Sequence, residues 1–109
     1  MFDYKETSFY TSFFQNHPDF RVIDEFKESE DKDERNCYVG RIEVLNTIHP
    51  LELRVEIPNS FPHKKLTFRT KSLFGYPHLI YNPGRDPKAE KYGGWFCLNT
   101  PFAETAENQ

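Results

Sequence analysis

The chain has 109 residues, a formal net charge of -3 and a sequence pI near 5.8. That length holds one domain with one real core, and the mildly acidic balance argues against a general DNA or anionic-membrane binder. Hydrophobic residues are only 37%, yet eleven Phe, six Tyr and one Trp are among them, so the core must be built largely from rings. No run reaches the roughly 18 apolar residues of a membrane span, and Met1 to Glu6 lacks the basic start and apolar run of a signal peptide. Two cysteines, Cys37 and Cys97, are too few for a secreted disulfide scaffold, so a reduced, cytoplasmic α+β domain is expected.

In chain order, Thr7 and Ser8 can cap a helix whose apolar positions are Phe9, Tyr10, Phe13 and Phe14, and Pro18 closes it. Residues 20–26 read as a strand with Phe20, Val22 and Phe26 on one face. Residues 24–36 then carry seven acids against three bases, the pattern of a solvated hairpin loop. Residues 38–44 read as a second strand with Tyr38, Ile42 and Val44 inward. Residues 51–57 give the clearest signal: every odd position is aliphatic and every even one charged, as in a half-buried antiparallel strand. Residues 65–70 repeat the alternation, with Leu66 and Phe68 inward. Short connections predict a four-stranded antiparallel meander with the helix on one face.

After Thr70 the periodicity stops. Residues 71–97 are rich in Pro and Gly and read as a long loop, which in compact domains is usually functional or disordered. It ends in Trp95-Phe96-Cys97-Leu98, and residues 100–109 look like the start of a helix capped by Thr100 and opened by Pro101. Residues 63–91 carry seven bases against two acids. Their charge is either a solvated face or a local field favouring a thiolate or an acidic partner. Cys37 reads as a small buried hydrophobe, whereas Cys97, after a Gly-rich loop near basic residues, is open to either reading. His17, His49 and His63 carry weak signals. No zinc spacing, P-loop or G-x-G-x-x-G occurs.

The order of elements carries a resemblance. Ile57-Pro58-Asn59-Ser60-Phe61-Pro62 resembles the F-P-x-x-Y-P signature after the third strand of ubiquitin-conjugating enzymes. Tyr38-Val39-Gly40-Arg41-Ile42 is similar to the family's second strand, and Leu66 to Thr70 to its fourth. Tyr76-Pro77-His78-Leu79 resembles its H-P-N-hydrophobic element, and Gly94-Trp95-Phe96-Cys97-Leu98 its active-site segment. The Pro-Pro pair before the fourth strand is missing, His78 stands where the family has Asn, and the stretch before the cysteine is longer. These departures look more like the divergent bacterial ubiquitin-conjugating-like proteins.

The resemblance implies a single ubiquitin-conjugating-like domain over residues 1–109 that lacks the family's C-terminal helices. It implies a transferase whose catalytic residues are Cys97, the thioester-forming nucleophile, and His78, the oxyanion donor in place of Asn. Lys88, Lys91 and Arg85 would help lower the Cys97 pKa. The implied partners are a ThiF-type activating enzyme that docks near the first helix and Lys5, a ubiquitin-like protein and a target amine. No metal, organic cofactor, nucleic acid or membrane is required. Two other readings stay open: a non-catalytic binding module of the same fold, and a scaffold with two buried thiols.

Overall fold

The computed structural model describes residues 6–34, 37–49, 51–61, 63–72 and 79–96. The first helix, α1 (Thr7–Gln15), presents Tyr10 and Phe14 to the sheet. Thr7 lies in its first turn, Glu6 takes the N-cap position, and no side chain caps the helix, so the expected Thr7/Ser8 cap is not used. His17 shapes the exit: its carbonyl accepts from Phe20 N at 3.2 Å, and its Nδ1 accepts from Asp19 N at 3.2 Å.

Strand β1 (Phe20–Glu28) pairs antiparallel with β2 (Tyr38–Val44), which pairs in the same way with β3 (Leu51–Ile57). Strand β4 (Thr67–Thr70) continues the meander, and Leu66 and Phe68 pack against the core as the alternation requires. The core holds Tyr10, Phe14, Phe26, Tyr38, Ile42, Leu53, Val55 and Ile57. Phe14 stacks on Phe26 with ring centroids 5.4 Å apart, and Tyr10 faces Tyr38 and Phe61. Two register shifts interrupt β1, between Val22 and Asp24 and between Asp24 and Lys27. Within the second, Phe26 N donates to Thr11 Oγ1 of the helix at 3.0 Å, so the irregular strand keeps that amide satisfied. Gly40 lets the Phe26 ring lie on the backbone of β2: a Cβ there would come within 2.7 Å of the ring.

The sheet differs from expectation beyond β4. Residues 79–96 form β5 (Leu79–Ile80), the short helix α2 (Lys88–Tyr92) and β6 (Gly94–Phe96), not a structureless loop. Among the described residues the sheet therefore has six antiparallel strands, in the order β1-β2-β3-β4-β6-β5, rather than four. Strands of two and three residues are too short to show a period, and their partners are distant in sequence. The helix start expected at residues 100–109 lies outside the described residues. No helix among the described residues is long and apolar enough to cross a membrane.

Candidate functional site

The sheet has a second face, and there the sequence pattern misleads. The even positions of β3, expected to be solvated, lie opposite the aromatic core. Register sets Arg41 of β2 opposite Arg54 of β3, Arg54 opposite Arg69 of β4, and Arg69 opposite Trp95 of β6. Three arginines side by side across a sheet repel unless anions come between them. Those anions come from several elements. Asp24 of β1 and Glu52 of β3 pair with Arg41. Glu34, in the turn after β1, is only 3% exposed and accepts from Arg54 at 2.5 and 3.1 Å. Glu56, 5% exposed, pairs with Arg54 and lies 2.9 Å from Arg69 Nε. Asp86 takes the Arg69 guanidinium in two bonds of 2.8 and 3.1 Å. Lys88 of α2 closes the network at 2.7 Å from Glu34 and 3.5 Å from Glu56. The Tyr92 ring covers Arg54, 3.6 Å from guanidinium to centroid.

The acidic stretch 24–36 is thus not simply a solvated loop. Glu34 is buried, and Asp31 binds Lys91 and Tyr92 of α2. Burial pushes the Glu34 carboxyl up, but hydrogen bonds from Arg54, Lys88 and Ser29 outweigh it and hold the group at about 2, against an ordinary 4.5. The basic stretch is likewise compensated. Lys88 and Lys91, expected to favour a thiolate at Cys97, each hold a carboxylate, which offsets much of their field.

The network reaches β6 through Arg69, whose Nη1 also donates to the Gly93 carbonyl at 3.0 Å. Gly93 adopts φ 98° and ψ 173°, and a Cβ there would meet the Thr70 carbonyl oxygen at 2.1 Å. Only glycine suits that backbone at that distance. From this point β6 runs between β4 and β5, pairing Trp95 with Arg69 and Ile80, and Phe96 with Leu79.

The two expected catalytic residues, Cys97 and His78, lie outside the described residues. Their chain neighbours do not: Leu79 follows His78, Phe96 precedes Cys97, and Leu79 and Phe96 are register partners. Arg85 is exposed in the turn before α2. Cys37 sits just ahead of β2 and is half-buried rather than fully buried. Burial, then Glu34 and Glu56, push its thiol up to about 11, so it is a poor nucleophile near neutral pH. His49 and His63 are exposed, and His17 serves its turn. No group of three or more His, Cys, Asp or Glu among the described residues is arranged to hold a metal ion.

Glu34, Arg54, Glu56, Arg69 and Asp86 were not legible as a unit from the sequence. The opposite charge imbalances of residues 24–36 and 63–91 were the available signal, since the two stretches neutralise each other in the fold. No protein-family model matches the chain, and neither does any curated protein or solved structure.

Proposed function

We propose that the chain is a ubiquitin-conjugating-type carrier that accepts a ubiquitin-like protein on Cys97 and passes it to a target amine. The observation that carries the reading is the β5–β6 ladder. The two segments whose motifs resemble the family's active site, 76–79 and 94–98, are 15 or more residues apart in sequence, yet their described residues Leu79 and Phe96 are paired. The helix on an antiparallel meander and the motif-bearing second strand also accord with it.

In this reading the Cys97 thiolate attacks the thioester carbonyl that joins the ubiquitin-like protein to a ThiF-type activating enzyme. A new carbon–sulfur bond forms, the old one breaks, and the activating enzyme's thiolate leaves. A neutral target amine then attacks the Cys97 thioester. The carbon–nitrogen bond forms, the Cys97 thiolate departs, and the amine loses its proton to solvent. His78 donates a hydrogen bond to the oxyanion of the intermediate. The raised Cys37 pKa supports the division of labour, since it leaves Cys97 as the cysteine suited to this chemistry.

The test is incubation with a ThiF-type activating enzyme, ATP and a ubiquitin-like protein. The expected product is a reductant-sensitive adduct that Cys97→Ala abolishes and Cys37→Ala preserves. An adduct absent from the wild-type chain, or retained by Cys97→Ala, would overturn the proposal. A chain that binds the ubiquitin-like protein without charging would be the non-catalytic module instead.

A further inference from the structure

The ionic network joins parts of the chain that little else joins. Between β5 and β6 the chain presents few apolar anchors to the sheet: Ala89 is buried, Tyr92 half-buried, and Asn82, Gly84, Arg85 and Glu90 exposed. Strand β6 itself meets β4 at two register positions, Arg69↔Trp95 and Thr70↔Gly94. So short a ladder does not by itself hold a strand tightly. Arg69 supplies what the ladder lacks. Its side chain is 7% exposed and hydrogen-bonds two points at once, Asp86 at the turn before α2 and the Gly93 carbonyl immediately before β6, while its Nε lies 2.9 Å from Glu56 of β3 as an ion pair without hydrogen-bond geometry. A planar guanidinium with several fixed donors does this in one geometry; an ammonium, a point charge on a flexible stem, does not.

We propose that Arg69, clamped by Asp86, is a positioning residue that sets the place of β6 in the sheet, the strand that precedes Cys97 in sequence. The part of this that concerns a nucleophile rests on the thioester reading of Cys97; the clamp on β6 does not. Arg69 touches no reacting atom and acts through Gly93 and the strand that follows. Buried charge serves this end better than apolar packing. Breaking it leaves an unpaired ion, so the clamp has one low-energy arrangement rather than a family of similar ones.

The experiment uses the full chain and two mild variants, Asp86→Asn and Arg69→Lys, with Asp86→Glu as the conservative rescue. Far-ultraviolet circular dichroism first establishes that the helix and sheet persist. Trp95, the chain's one tryptophan, lies opposite Arg69 in β6 and reports the strand directly through acrylamide quenching of its fluorescence. Quenching is expected to rise in Asp86→Asn and Arg69→Lys and to return toward wild type in Asp86→Glu. In charging assays, kcat is expected to fall roughly tenfold to a hundredfold in Asp86→Asn, the size of loss that misplacement by about 1 Å produces. KM for the activating enzyme is expected to hold. Unchanged quenching and unchanged kcat in folded Asp86→Asn and Arg69→Lys would overturn the proposal. If the wild-type chain does not charge at all, the thioester reading fails, and quenching alone decides the clamp: equal quenching in all three chains overturns it.

Discussion

The two faces of the sheet are held by opposite kinds of force. On one, α1 lays Tyr10 and Phe14 on Phe26, Tyr38, Ile42 and Val55. On the other, Glu34, Glu56 and Asp86 alternate with Arg54, Arg69 and Lys88, three acids against three bases. Apolar contact is non-directional and roughly proportional to area, so the aromatic face supplies stability and tolerates small shifts. Buried ions must be desolvated before they attract, so the ionic face contributes little net stability while demanding one geometry. The contrast assigns the first face to holding the fold and the second to orienting what lies across it.

Removing one member should cost both faces dearly, for different reasons. Phe14→Ala is expected to lose about 3–5 kcal/mol in denaturant unfolding, because a 3%-exposed ring leaves a cavity. Glu34→Gln is expected to lose about 3 kcal/mol, the low end for a broken buried pair, because Arg54 and Lys88 are then left to share Glu56. Removing the opposing charge as well separates the mechanisms. Lys88→Met added to Glu34→Gln should recover roughly 1–3 kcal/mol, a coupling readable from a double-mutant cycle. Fully additive losses would mean that the ionic face acts as independent contacts.

Acidity sharpens the comparison further. The Glu34 carboxyl is held at about 2 in the folded chain against 4.5 in its absence, so the unfolded chain binds its proton first. Its stabilisation is complete above about pH 4.5 and drains away as pH falls toward about 2. Unfolding midpoints measured from about pH 6 downward should fall across that window, and Glu34→Gln should flatten that part of the profile. A Phe14→Ala profile parallel to wild type would show the aromatic face blind to the same titration.

The smallest effect is expected where charge meets solvent. Arg21 pairs with Glu43 at 3.1 Å, but the Arg21 side chain is 59% exposed. Arg21→Gln should change stability by less than about 1 kcal/mol, and added salt should mask most of it. A larger loss would erase the distinction between surface and buried pairs.

How far the sequence could be read follows the same division. The aromatic face was legible because its periodicity is local: Leu53, Val55 and Ile57 alternate within one strand and need no distant partner to declare their side. The ionic face was not, because burial of a carboxylate is decided by who meets it. Glu34 and Arg54 are 20 residues apart, and Arg69 and Asp86 are 17. Alternating charge on β3 looked like solvated surface for want of those partners. The short β5, α2 and β6 were missed for a related reason, since Leu79 and Ile80 form a strand only through pairing with residues 95 and 96. For the candidate site, motif order singled out Cys97 and His78; the pairing of their neighbours Phe96 and Leu79 is a tertiary fact that motif order does not contain.

The broken register of β1 has a consequence for how copies of the chain meet. An exposed edge strand invites another molecule to pair with it. Here a visiting strand would have to follow two register shifts and face Asp24, Glu25, Lys27 and Glu28, all exposed. At the far side, among the described residues, β5 spans Leu79 and Ile80. The β1 rim is therefore too crooked and too charged to be a ready template for a further strand, a protection reached without a barrel's closure.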